Sequence, residues 1–224
     1  MNLAEITSLN EQIQEMVKGM NLPEDAARTI MEGLAQVKSE APCQGLPIGQ
    51  KAPDFRLKNQ HNDEVSLTET LAAGPVVLKF IRGAWCPFCN LDVAALQRVL
   101  PQLEELSASL LVINPQKPDK SQVLQSSHSL GFDILSDENQ QVIQAYHLQF
   151  TVPSQVQEVY KQFGFNLPEL TADGSWNLPV PATFVLDRNG VIRARHVDLD
   201  YLHRMEPADI VDAVRYLTDS VVAR

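Results

Sequence analysis

The chain has 224 residues and a mass of 24.9 kDa, enough for one sizeable core and more than a minimal domain needs. Hydrophobic residues at 44% and charged residues at 21% exclude a disordered, collagen-like or coiled-coil chain. Eighteen Lys and Arg against 28 Asp and Glu give a net charge of −10 with no basic cluster to offset it, which argues against nucleic acid and anionic membrane surfaces as partners.

The N-terminus, Met1-Asn2-Leu3-Ala4-Glu5, has no basic segment followed by an apolar run, and no apolar stretch reaches the roughly 20 residues of a membrane helix. A cytoplasmic protein is expected. Leu3, Ile6, Ile13, Met16 and Met20 recur at helical spacing, as do Ala26, Ile30, Leu34 and Val37. The break at Asn21-Leu22-Pro23 predicts two helices in a hairpin, with Pro23 in the first turn of the second and Glu24 and Asp25 at its positive end. Residues 1–40 are thus a helical arm. Residues 41–53 carry three prolines, two glycines and no periodicity, so they form a linker, and a domain spanning 48–224 begins within it.

Strands and helices then alternate. Residues 55–58 and 65–67 flank a polar turn and predict a hairpin, and Val76 to Ile81 is an apolar run suited to a strand buried on both faces. Helices are predicted at 91–106, 121–130 and 139–148, and strands at 110–113 and 133–136. The stretch 149–178 is long enough to be functional or to carry structure of its own. Residues 182–186 and 191–197 predict a hairpin around Asp187-Arg-Asn-Gly190, and 207–223 a closing amphipathic helix. The pattern predicts an α/β fold of thioredoxin-like architecture, a mixed central sheet flanked by helices, parallel at its centre and antiparallel at one edge.

Three cysteines cannot close a set of structural disulfides, and in a reducing compartment they point to chemistry. Trp85-Cys86-Pro87-Phe88-Cys89 lies between the strand ending at Ile81 and the following helix, where unpaired amides and the helix dipole favour a thiolate. Two-residue spacing brings both sulfurs within disulfide reach. Cys86 at the mouth is expected to be the more exposed sulfur. The same spacing fits half a zinc site, but no second pair exists and only Cys43 remains. Pro181, opening the strand 182–186 beside Thr183, is expected to lie as a cis proline against the thiol pair and to offer backbone groups to a substrate; it also reads as an ordinary strand start.

Phe80-Ile-Arg-Gly-Ala-Trp-Cys-Pro-Phe-Cys-Asn90, Ile113-Asn-Pro-Gln116, Leu135-Ser-Asp137, Trp176 to Asp187, and His196-Val-Asp-Leu-Asp-Tyr201 with Arg204 and Glu206-Pro207 stand in the chain in that order. From about Ile48 to about Leu217 they resemble the peroxiredoxin-like branch of the alkyl hydroperoxide reductase/thiol-specific antioxidant family. The family's Pro-x-x-x-Thr-x-x-Cys pattern, laid on this chain, puts the attacking cysteine on Cys89, the threonine on Cys86 and the proline on Arg82. Its arginine in the penultimate strand falls on Pro181. A thioredoxin-like alignment instead makes Cys86 attack and Cys89 resolve, and thioredoxins place a buried acid where this chain has Lys79-Phe80.

The resemblance implies a thiol peroxidase that needs no metal or organic cofactor. A thiolate of the pair attacks a hydroperoxide, the sulfenic acid condenses with its neighbour, and a thioredoxin- or glutathione-type donor reduces the disulfide. Arg82 can lower a thiol pKa or hold a peroxide oxygen in place of the missing groups, or it is a surface arginine at a strand end. Trp85 either shields the sulfurs or only packs. Cys43 is a candidate resolving thiol within the chain or across a dimer. Phe150, Phe163, Phe165 and Trp176 wall a groove or pack under the long loop. Two other functions stay open: a protein-disulfide reductase using the same pair, and a redox-sensing module whose arm binds a partner or a second copy on oxidation.

Overall fold

The computed structural model describes residues 8–40 and 43–222. Its elements run α1 (Leu9–Gly19), α2 (Glu24–Glu40), β1 (Arg56–Lys58), β2 (Glu64–Ser66), α3 (Leu67–Ala73), β3 (Val76–Phe80), α4 (Pro87–Glu105), β4 (Ser109–Asn114), α5 (Pro118–His128), β5 (Asp133–Ser136), α6 (Gln141–Ala145), β6 (Gln149–Thr151), α7 (Ser154–Gln162), α8 (Leu167–Leu170), β7 (Asn177–Pro179), β8 (Ala182–Leu186), β9 (Ile192–Val197) and α9 (Pro207–Val222). Residues 1–7, 41–42 and 223–224, which include Leu3, Ile6, the start of the expected linker and the end of the expected closing helix, lie outside the described residues.

All five residues of β3 are buried, as its apolar run requires. Among the described residues the main sheet has seven strands in the order β2-β1-β5-β4-β3-β8-β9. The pairs β3/β4 and β4/β5 are parallel, while β1/β5, β3/β8 and β8/β9 are antiparallel. The sheet is mixed as expected, with antiparallel strands on both flanks rather than one, because the β1–β2 hairpin joins the edge opposite β9. Period-two alternation divides the core. Val77, Ile81, Val112 and Val185 face one cluster with Cys86, Cys89 and the inner side of α4. Leu78, Phe80, Ile113 and Phe184 face the other.

The arm departs from a simple hairpin. A capping box closes the start of α1, with Glu11 N donating to Ser8 Oγ at 3.1 Å and Ser8 N to Glu11 Oε2 at 2.8 Å. Leu9 and Ile13 then enter the core beside α4. α2 instead packs on α7, where Gly33 allows the approach: a Cβ there would stand 2.3 Å from Val156 Cγ2. Each arm helix therefore packs more on the domain than on its partner, and a dimer through the arm would have to use the outer faces. Among the described residues no helix is long and apolar enough to cross a membrane.

The segment expected as a linker is fastened. Gly49 N donates to Ile192 O, Ala52 N donates to Gly190 O, and Lys51 bridges Val191. Arg195 donates to the carbonyls of Gln44 and Leu46. Proline-rich chain lacks periodicity yet still bonds well along a sheet edge, which is why composition read it as loose.

Candidate active site

Beyond β3 the chain turns sharply into α4. Gly83 has φ +138, a left-handed conformation that suits glycine, and an added Cβ would lie 2.5 Å from Gln116 Oε1. That same oxygen accepts from Ala84 N at 2.6 Å, while Gln116 Nε2 donates to Leu170 O at 3.0 Å. Gln116 thus ties the turn to α8. Cys86 then takes the N-cap position of α4 with extended backbone, Pro87 follows in the first turn, and no side chain caps the helix. Helix-terminal amides are left for the sulfurs, as the motif's position predicts.

The pair is surrounded by charge. Arg82, 4% exposed, donates from Nη2 to Cys86 Sγ at 3.1 Å and from Nη1 to Tyr160 Oη at 3.1 Å. Its guanidinium lies 4.0 Å from the Tyr201 ring centroid and 5.2 Å from that of Trp85. Arg204 donates from Nη2 to Cys89 Sγ at 3.8 Å and from Nη1 to Asp92 Oδ2 at 3.1 Å. Lys79 Nζ lies 2.7 Å from the same Asp92 oxygen and donates to Thr183 Oγ1 at 3.1 Å. Two buried cations, Lys79 and Arg204, thus share one buried carboxylate, whose Oδ1 has no partner, while Arg82, also buried, stands at the thiols.

This imbalance acts on the thiols. Burial pushes Cys86 up, but the hydrogen bond from Cys89 and the charges of Arg82 and Arg204 overcome it and hold Cys86 well below the usual thiol range. Cys89 moves the other way: burial, its bond to Cys86 and that neighbour's negative charge push it well up, against Arg204 and Arg82. Burial lowers Lys79, with Asp92 opposing.

Several expected site residues are where the motif implied, and others need correction. Cys86 and Cys89 are both fully buried, so Cys86 is not the exposed sulfur, because the Trp85 and Tyr201 rings and the arm cover the helix tip. Trp85 packs on Phe165 and Tyr160 with centroids 5.4 and 6.4 Å apart. Arg82 is no surface residue. Pro181 is buried, but no described peptide bond is cis. Its position, one register step past the Ala182–Phe80 pair, is that of a strand start. Thr183, fully buried, accepts from Lys79 Nζ at 3.1 Å. Cys43 packs against the core cluster on the opposite face of the sheet, with its Sγ donating to Gln149 O at 3.0 Å. Burial raises its pKa. The geometry does not bring it to the pair.

Asp92 and Tyr160 belong to the site although motif reading did not select them, and Gln116, the last residue of the Ile113–Gln116 motif that carried the resemblance, braces the turn. A lysine inside an apolar strand and an acid on the inner stripe of an amphipathic helix were the available signals for the Lys79–Asp92 pair. Beside Arg82 lies an apolar cavity of about 420 Å³, bounded by Met20 and Leu22 of the arm and by Trp85, Phe88, Tyr160 and Phe163. Of the aromatics in the long stretch, Phe163 and Phe165 reach this cavity, while Phe150 and Trp176 pack in a small core beneath α7.

The sheet and the site define a class: a thioredoxin-like fold carrying a thiol pair at the start of the helix that follows its central strand. The sequence pattern of the AhpC/TSA family matches residues 48–195, and the chain belongs to that family. Peroxiredoxin Bcp of Escherichia coli is 30% identical over 101 residues, which cover 45% of this chain and 64% of that protein. Alkyl hydroperoxide reductase E of Mycobacterium bovis is 25% identical over 178 residues, covering 80% of this chain and 97% of that one. The crystal structure of peroxidoxin BcpB from Mycobacterium tuberculosis shares the fold, with a TM-score of 0.60 at 19% identity over 77% of this chain and 98% of that one.

Proposed function

We propose that the protein is a peroxiredoxin-like thiol peroxidase in which Cys86 attacks a hydroperoxide and Cys89 resolves the product. The observation that carries this reading is the 3.1 Å contact between the buried Arg82 guanidinium and Cys86 Sγ at the start of α4, which favours a thiolate at neutral pH. The names of the bacterial relatives point to the same electrophile.

The Cys86 thiolate attacks one oxygen of the peroxide, the O–O bond breaks, and the departing alkoxide takes a proton to leave as an alcohol, or as water from hydrogen peroxide. Cys86 is then a sulfenic acid. Cys89 loses its proton, attacks the Cys86 sulfur and expels the oxygen as water. A dithiol donor of thioredoxin or glutathione type returns two electrons to the disulfide, which suits a reducing compartment such as the cytoplasm. Arg82 takes over the role of the threonine and arginine that the family's pattern supplies elsewhere, because it reaches the sulfur and the space beside it.

The reaction of pre-reduced protein with hydrogen peroxide, followed by Trp85 fluorescence, tests this. The second-order rate is expected far above that of a free thiolate, to vanish in Cys86→Ser, and to survive for one turnover in Cys89→Ser. Survival in Cys86→Ser and loss in Cys89→Ser would assign attack to Cys89. A wild-type rate no better than a free thiol's would remove the peroxidase reading. The low thiol at the first position of a Cys-x-x-Cys also favours a second reading as a disulfide reductase, which predicts reduction of a mixed disulfide without peroxide turnover.

A further inference from the structure

Arg204, the residue that reaches Cys89, sits in no regular element: it lies between β9 and α9. Its side chain is 1% exposed, and its placement is fixed from the other end of the chain. Asn10 of α1 closes both backbone groups of this one residue: Arg204 N donates to Asn10 Oδ1 at 2.9 Å, and Asn10 Nδ2 donates to Arg204 O at 2.8 Å. Two residues on, the Glu206 carboxylate accepts from Leu9 N and Asn10 N, both at 2.9 Å, and from Asn10 Nδ2 at 2.5 Å. An acid at the positive end of an 11-residue helix is favourably placed. Asn10, Arg204 and Glu206 all lie outside the stretch 48–195 that matches the family.

We propose that Asn10 and Glu206 are positioning residues for Cys89: they hold the Arg204 guanidinium over its sulfur and so set how readily this thiol gives up its proton. The consequence for turnover rests on the peroxidase reading above; the effect on the thiol does not. When Cys89 resolves Cys86 sulfenic acid, its S–H bond breaks, an S–S bond forms, the S–O bond of Cys86 breaks, and the departing hydroxide takes the proton as water. A cation at the attacking sulfur stabilises the thiolate that this step requires. The other charged groups around Cys89 are Cys86 itself, Arg82 and Lys79 from the β3 side, and Asp92 one turn further along α4. Of these cations, Arg204 is the one whose backbone the arm holds.

The test isolates Cys89 as the titrating thiol in a Cys43→Ser/Cys86→Ser background and follows its ultraviolet thiolate absorbance against pH. Asn10→Ala is expected to raise the midpoint by about one pH unit, because an opposite charge within about 4–6 Å lowers a pKa by roughly 1–3. Glu206→Gln, which keeps shape and loses charge, gives a smaller upward shift, and Arg204→Gln sets the upper limit. Glu11→Ala breaks the capping box without touching Arg204, and leaves the midpoint in place. An unmoved midpoint in Asn10→Ala, or an equal shift in Glu11→Ala, would overturn the proposal. With both thiols present, a sulfenic-acid trap is expected to label Cys86 more in Asn10→Ala than in wild type after peroxide. If Cys89→Ser protein forms no sulfenic acid after peroxide, the peroxidase reading falls while the titration still judges the positioning.

Discussion

A lysine in the middle of β3 and an aspartate facing the core from α4 are each costly to bury alone, and the structure makes them neighbours at 2.7 Å. With Arg204 on the same carboxylate, Asp92 is the counter-charge for two cations. Asp92→Ala leaves both unpaired, and a loss of about 3–5 kcal/mol in folding free energy is expected from urea unfolding of the reduced protein. Arg82 makes a different prediction, because its effect falls on reactivity. With Arg82→Leu the pH midpoint for alkylation of Cys86 is expected to rise by about 1–3 units, and at neutral pH the rate falls with the thiolate fraction. A midpoint that stays in place would show that the helix terminus, Cys89 and Arg204 set the thiolate without Arg82. Cys86, Cys89 and Arg82 were legible in the sequence because they lie within eight positions of one another, and helix-terminus chemistry is local. Asp92 and Asn10 were not, since their partner Arg204 is 112 and 194 positions away. A single sequence carries periodicity and composition, but not which distant charges meet.

Elements were legible in proportion to their length and to how apolar their buried face is. The strands β3, β4, β5 and β8 and the long helices α4 and α9 stand close to their expected ranges, because burial on one or two faces imposes a period. The short helices α3 and α7 were missed: α7 buries only Val156 and Val159, too few positions to show a period inside a stretch broken by Pro153 and Gly164. The way α2 docks on α7 was equally hidden, and it turns on Gly33. Glycine inside a helix costs about 1 kcal/mol relative to alanine, so its place here answers the close contact with Val156. Gly33→Leu is therefore expected to lift α2 from α7, measured as lost amide-exchange protection over residues 24–40 while β3 and β8 keep theirs. Gly19, with nothing within 4 Å of its added Cβ, provides the contrast. Gly19→Ala is expected to leave the exchange pattern intact and to stabilise the protein slightly.

The whole molecule carries a net charge of −10, yet its reaction centre is built around three buried cations and one carboxylate. Composition alone gave no hint of this, because an acidic surface and a basic interior sum to one number. On the proposed chemistry the reduced protein balances the centre with the Cys86 thiolate, and a Cys86–Cys89 disulfide would remove that anion while the cations stay. The cross-link returns little, since closing so short a loop contributes about 2 kcal/mol of chain entropy in the unfolded state. Oxidation is thus expected to lower stability. The sign of the pH dependence follows from the thiolate. A thiol held below its unfolded value contributes stability that is complete above that unfolded value, about 8.5, and that is lost as pH falls through the folded one. Urea unfolding at neutral pH should therefore give the reduced form the higher midpoint, with the gap closing as the solution is acidified and shrinking in Arg82→Leu. By linkage, a reduced form stabilised in this way makes the disulfide a stronger oxidant than that of thioredoxin, at about −270 mV, which equilibration against glutathione will measure. An oxidised form more stable than the reduced at neutral pH would mean that Asp92 and the arm already balance the centre without the thiolate.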